Sequence, residues 1–179
     1  AGKFVALLKE KAQKMVVGCA YDPETKLGPV VNAAHKKSIC DWTQKGIDEG
    51  AELVLDGRNC VVPGYENGFF VGPTILDHVK PGMTVGDREI FGPVTCIKRC
   101  KNFEEGLAIM NENKFANGSV IFTSNGYYAR QFELLTDGGM VGINVGIPVP
   151  SAYFPFSGNK DSFFGDQHVL GLDGIRFYT

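Results

Sequence analysis

Five cysteines and three histidines are the residues of this 179-residue chain that could serve as a nucleophile, a general base or a metal ligand. Cys19, Cys40, Cys60, Cys96 and Cys100 are spread along the chain. The last two come closest, in a strand-like run with no second pair and no histidine nearby, so they read as packing or surface thiols and not as half of a zinc site. His35, His78 and His168 are dispersed, none at metal-ligand spacing, and each reads as an ordinary surface or hydrogen-bonded polar residue. No Gly-x-x-x-x-Gly-Lys-Ser/Thr run exists. The glycines of Gly138-Gly139-Met140-Val141-Gly142 precede a strand, whereas a dinucleotide fingerprint needs them between a strand and a helix. There is no nucleophile elbow. Partners of a Ser/His/Asp or Cys/His site meet in space, so spacing leaves that class open, and no complete constellation can be written from it.

Composition narrows the classes. Eighteen basic against 20 acidic side chains give a formal charge of −2, without the clustered positive charge that phosphate neutralisation needs. Hydrophobic residues at 44% and charged residues at 21% describe a folding chain. No apolar run approaches the ~20 residues that span a bilayer. An odd number of cysteines cannot all pair within one molecule, which favours a reducing compartment. Ala1-Gly2-Lys3 is neither an initiator methionine nor a signal peptide, so the expectation is a processed chain or a piece of something longer.

The elements that must position any site follow from periodicity. Phe4, Leu7, Leu8 and Met15 share one face of a first helix, opposite its lysines. Asn32 is placed to cap a second helix running to about Glu49, with Ile39 and Ile47 inward and Gly50 as its stop. Ala51–Gly57 reads as a short strand and turn. The stretch from Arg58 to Val94 is loop-rich, with short strands expected at Phe69–Val71 and Ile75-Leu76 and a clearer one at Val94–Arg99. A helix from about Phe103, a strand at Ser119–Thr123, a helix from about Tyr127 ending at Gly138-Gly139 and a strand at Met140–Asn144 complete the order. Strands alternating with helices imply an α/β fold with a mostly parallel sheet, in one domain over residues 1–179. The proline- and aromatic-rich run Val145–Phe156 cannot be helical. Such loops cover cores more often than they line ligand pockets.

Three stretches then stand in a familiar order: Gly72-Pro73-Thr74, Glu89-Ile90-Phe91-Gly92-Pro93-Val94 and Pro155-Phe156-Ser157-Gly158-Asn159-Lys160. The series resembles the later half of the NAD(P)-dependent aldehyde dehydrogenase superfamily, and the resemblance covers nearly the whole chain. It implies a three-layer α/β/α catalytic domain. Gly64-Tyr65-Glu66-Asn67-Gly68, Asn144–Pro150 and the closing Gly174–Thr179 are similar to the CoA-acylating methylmalonate-semialdehyde branch. That branch oxidises malonate or methylmalonate semialdehyde with NAD and releases acetyl- or propionyl-CoA, through thiolate attack, hydride transfer and acyl transfer to CoA.

The resemblance also assigns roles. Glu89 matches the carboxylate that accepts hydrogen bonds from the nicotinamide ribose, and Phe91 matches the residue beside the nicotinamide ring. Phe154 and Phe156 match the aromatic lining of the aldehyde channel. Asn144 matches a strand-end asparagine near the active site and reads as structural. The family's nucleophilic cysteine, its NAD-binding Rossmann domain and its oligomerisation tail match nothing here, and none of the five cysteines aligns with the nucleophile. Part of an enzyme is therefore expected, inactive alone. The intact protein would be a homo-oligomer, dimer or tetramer, in the cytoplasm of a bacterium or the mitochondrial matrix of a eukaryote, with a small aldehyde as its partner and neither nucleic acid nor membrane. Two other readings are a non-acylating aldehyde dehydrogenase and a non-catalytic stand-alone binding domain.

Overall fold

Asparagine side chains start three of the six helices, which is why these helices begin where they do. Asn32 Oδ1 accepts from His35 N–H at 2.8 Å and opens α2 (Ala33–Asp48). Asn102 does the same for Glu105 at α4 (Phe103–Asn111), and Asn125 for Tyr127 at α5 (Gly126–Leu135). An asparagine cap satisfies one of the amide donors a helix start leaves unpaired, worth about 1 kcal/mol against alanine. Gly50, at φ 101°, ends the Ala33–Asp48 helix in a conformation that favours glycine.

The computed structural model describes all residues, 1–179, as two compact units, Ala1–Arg99 and Cys100–Thr179. In the first unit α1 (Gly2–Gln13) and α2 are followed by β1 (Glu52–Leu55), β2 (Thr74–Asp77), the short α3 (Thr84–Asp87) and β3 (Val94–Cys96). The three strands form one sheet in that order. β1 runs antiparallel to β2, with a register shift between Leu53 and Leu55, and β2 runs parallel to β3 with Thr74 opposite Val94. The core here is built from Leu76, Val79, Met83, Val85 and Ala51, with Trp42, Ile47 and Leu53 packed against it. Ile39, Ile75, Leu76 and Val71 lose essentially all exposure, each worth about 1.5–3 kcal/mol of transfer free energy.

In the second unit α4 is followed by β4 (Phe115–Ala116), β5 (Gly118–Ile121), α5, β6 (Met140–Ile143), β7 (Asn159–Lys160) and α6 (Gly171–Tyr178). β5 and β6 pair in parallel over four positions, with α5 lying between them in the chain as the connection a parallel pair requires. The two-residue strands β4 and β7 pair antiparallel. Phe103 and Tyr128 stack with ring centroids 5.1 Å apart, joining α4 to α5.

Three local expectations change. Phe69–Val71 is not a strand: its backbone partners are isolated, with Phe69 O accepting from Val30 N–H at 2.8 Å, although Phe70 and Val71 are buried. On α1 the buried positions are Val5 and Ala12, while Phe4 and Leu7 are 62% and 57% exposed, so the apolar stripe is offset from the covered one. α5 stops at Leu135, before the glycine pair, because Thr136 turns extended and its hydroxyl binds Ser119 Oγ at 2.9 Å. α6 starts without a side-chain cap, leaving no start signal in the sequence.

One ion pair, buried on its Asp77 side, braces the first sheet. Asp77, almost fully buried at the end of β2, accepts Arg99 Nη2 at 2.5 Å and Nε at 3.1 Å, and also the N–H of His78. The Arg99 hydrogen bonds hold the Asp77 carboxyl below the usual carboxylate range; burial opposes them and the His78 N–H reinforces them. With the folded-state value lowered, the pair stabilises fully above the ordinary value of about 4 and that contribution is lost as pH falls through the lower one. Asp77→Asn is therefore expected to lower the urea midpoint near neutrality and to flatten the acid side of the stability–pH curve. Equal midpoints and equal acid slopes for variant and parent would show the pair to be inert.

Candidate functional site

The loop between α3 and β3, residues 88–93, is held from three sides. Glu49 at the end of α2 accepts from Thr84 N–H at 2.7 Å and from Thr84 Oγ1 at 2.5 Å, so its carboxylate caps α3. Val85 packs on Gly46, where an added Cβ would lie 2.8 Å from Val85 Cγ1. From α3 the chain passes through Arg88 and Glu89 into a turn at Phe91, which takes φ 57°, the left-handed region that L residues seldom occupy. Beyond it Val94 N–H donates to Gly92 O at 2.7 Å, and Pro93 O accepts from Thr74 N–H at 2.8 Å, handing the chain to the β2–β3 pairing.

This loop edges a cavity of about 310 Å³ whose walls include Val85, Arg88, Glu89, Phe91, Val94 and Cys96. Glu89 is exposed, and its carboxylate has no hydrogen-bond or ion-pair partner in the chain. An unpaired carboxylate on a fixed backbone can accept from two adjacent hydroxyls at once. The Phe91 ring, 73% exposed, offers an apolar face at the rim. Glu89 and Phe91, singled out together in the sequence, are thus brought to one cavity. Burial pushes the Cys96 thiol up, which disfavours its thiolate form. A second cavity of about 400 Å³ shares Gly92 and Val94 as a wall and is lined by Leu8, Met15, Leu27 and Pro73, an apolar surface with Lys11 as its charged residue.

In the second unit, Phe154 and Phe156 lie on the irregular segment before β7 and are 64% and 36% exposed. That segment is tied at both ends. Asn144 takes φ 57°, and its side chain pairs with both backbone groups of Thr123, at 2.8 and 2.9 Å, which is the structural role expected of it. Lys160 Nζ reaches Asn111 O at 2.5 Å, Asn113 O at 3.2 Å and Asp137 Oδ2 at 2.6 Å. Periodicity gave no sign of Lys160 as an anchor, because its partners are carbonyls at the end of a helix nearly 50 residues away.

His35 is the other contributor that sequence reasoning passed over. Its Nε2 lies 2.8 Å from Phe91 O and its ring sits 6.1 Å from the Phe91 ring. The sign available in the sequence was only its place three residues after the Asn32 cap. No group of three or more His, Cys, Asp or Glu side chains is arranged to hold a metal ion.

The fold and this site define a chain of the aldehyde dehydrogenase family: the sequence model of that family matches residues 1–179, and the chain belongs to it. Among curated proteins it is 48% identical over 179 residues to malonate-semialdehyde dehydrogenase 2 of Oceanobacillus iheyensis and 47% identical over 180 to malonate-semialdehyde dehydrogenase 3 of Bacillus cereus. Each match takes in 100% of this chain but 37% of the relative, so the chain spans little more than a third of their length. Among solved structures, one described as a methylmalonate-semialdehyde dehydrogenase of Sinorhizobium meliloti, complexed with NAD, superposes with TM-score 0.97 at 40% identity. It covers 99% of this chain and 36% of its own. The methylmalonate-semialdehyde dehydrogenase of Oceanimonas doudoroffii gives the same TM-score of 0.97 at 41% identity. The α/β class read from the sequence is the fold of these enzymes.

Gly92 leaves no room for a side chain, since its Cβ would fall 2.6 Å from Cδ1 of the fully buried Ile39. Gly92→Ala is expected to destabilise the first unit by about 1–3 kcal/mol through overpacking. Much of that loss should disappear when Ile39→Ala supplies the space, read as non-additive urea midpoints. Strict additivity would show that the two residues do not touch in solution.

Proposed function

We propose that this chain forms part of an NAD-dependent, CoA-acylating dehydrogenase that converts methylmalonate or malonate semialdehyde to propionyl- or acetyl-CoA, with the aldehyde hydride passing to NAD and the substrate carboxylate leaving as CO2. The observation that carries this reading is the match of every residue, at 47–48% identity, to malonate-semialdehyde dehydrogenases. Because one family model runs unbroken through residues 1–179, both compact units are assigned to a single catalytic domain.

The residues fit NAD. Glu89, exposed and unpaired in its cavity, would accept the nicotinamide ribose hydroxyls, and Phe91 would pack beside the ring. NAD supplies the hydride acceptor; this chain's part is to hold its ribose in one orientation. Phe154 and Phe156 are assigned to the wall of the aldehyde channel, where apolar rings exclude water. The nucleophilic cysteine is assigned to sequence outside residues 1–179. Burial pushes the Cys96 thiol up, away from the thiolate, and the other four cysteines are free, without an assigned catalytic partner.

Two measurements test this. Residues 1–179 alone, given malonate semialdehyde, NAD and CoA, are expected to form no NADH, whereas the polypeptide at the length of its relatives forms NADH and acetyl-CoA in step. NADH without an acyl-CoA would remove the acylating assignment. In that longer polypeptide Glu89→Gln keeps one acceptor oxygen but loses the charge, a change of about 1.5–3 kcal/mol, or roughly 10- to 150-fold in NAD affinity. Folding should hardly change, since Glu89 is wet and unpaired without NAD. Unaltered NAD affinity would refute the ribose contact.

A further inference from the structure

We infer that His35 is a positioning residue that fixes the backbone of Phe91 and, through it, the aim of Glu89; the link to NAD rests on the function proposed above. A non-glycine residue at φ 57° on an exposed loop is strained and persists only where its surroundings over-determine it. Two contacts from His35, and one from Ile39 at the next residue, do so here. Phe91 O accepts a hydrogen bond from His35 Nε2 at 2.8 Å. A carbonyl can only accept, so the ring carries its proton on Nε2. Its Nδ1 is buried with no partner, so this bond is the ring's one polar anchor. The His35 and Phe91 rings then meet at a 39° tilt, covering one side of the turn.

One helical turn further along, Ile39 fills the space beside Gly92. Helix α2 therefore grips two successive loop residues from two successive turns, i and i+4 on one face. The helix is itself fixed at that end, because the N–H of His35 is the donor to the Asn32 cap. Val94 and Thr74 secure the loop's exit, but their bonds act at Gly92 and Pro93 and do not reach the carbonyl of Phe91. Without His35, the carbonyl of Phe91 has no protein donor, and the loop can relax toward an extended Phe91. Glu89, two residues earlier, would then no longer be held at one place on the cavity wall.

The test uses two variants and two readouts. In the longer polypeptide, His35→Phe keeps a ring against Phe91 but removes the donor; it is expected to weaken NAD binding about 5- to 10-fold. His35→Gln, whose side-chain N–H can reach the same carbonyl, should return affinity to within about 2-fold of the parent. A role in folding alone would lower thermal stability in both variants without this split. On residues 1–179, the long-range ¹⁵N–¹H spectrum should show His35 as the Nε2–H tautomer, and His35→Phe should speed amide exchange between Phe91 and Val94. An Nδ1–H tautomer, or unchanged exchange and NAD affinity in His35→Phe, would overturn the inference. If instead Glu89→Gln leaves NAD affinity unchanged while His35→Phe still speeds exchange, the cofactor reading fails and the backbone role of His35 stands.

Discussion

The left-handed turn at Phe91 is the constraint on which the candidate site depends. Glycine would adopt it freely, but the chain places phenylalanine there and glycine next to it. The conformation must therefore be held from outside, and α2 holds it. Its first turn reaches Phe91 through His35, and its second closes on Gly92 through Ile39. Its last turn accepts Val85 of α3 against Gly46 and caps α3 with Glu49. A loop clamped at both ends by one rigid helix can keep an unpaired carboxylate exposed without losing its direction. For the ribose contact proposed for Glu89 that matters, because a binding group already in place before ligand arrives costs little on binding.

The second unit meets a similar demand with polar anchors instead of packing. Its aromatic segment contains three prolines between Ile147 and Phe156 and has no regular hydrogen bonding of its own. Asn144 ties the start to Thr123 by paired bonds to both backbone groups, and Lys160 ties the end to the carbonyls that finish α4 and to Asp137. Asn111 extends the network by bonding Leu135 O and Asp137 N–H. Each anchor satisfies helix-end or strand-end groups that would otherwise rely on solvent. The aromatic rings between the anchors stay exposed on a segment held at its two ends.

What was legible in the sequence was local. Asn32 as a cap, Gly50 as a stop and the apolar strands at Ile75-Leu76, Ser119–Thr123 and Met140–Asn144 are signals written within a few residues, and the structure has each of them, with the last two strands ending earlier, at Ile121 and Ile143. The Glu89–Pro93 motif was legible as a resemblance, but its conformation was not. Nothing in five letters says that Phe91 turns left-handed, because the residue that makes this affordable lies 56 positions earlier on another helix. The same limit hid Lys160, whose partners are helix-end carbonyls. It also explains the misreading of α1: a stripe of apolar residues gives a helix but not the face that its neighbours cover, and Val5 and Ala12 took that place. Phe69–Val71 forms no strand for the related reason that burial of an apolar run does not supply a neighbouring strand.

The central claim is that α2 presets the Phe91 turn so that Glu89 meets the nicotinamide ribose. A crystal structure of the polypeptide at the length of its relatives, with NAD bound, tests it most directly. The account expects Phe91 to keep its positive φ with His35 Nε2 on its carbonyl, and a Glu89 oxygen within hydrogen-bond distance of a ribose hydroxyl. A Glu89 carboxylate turned away from the ribose, or an extended Phe91 with His35 unbonded to it, would contradict the account.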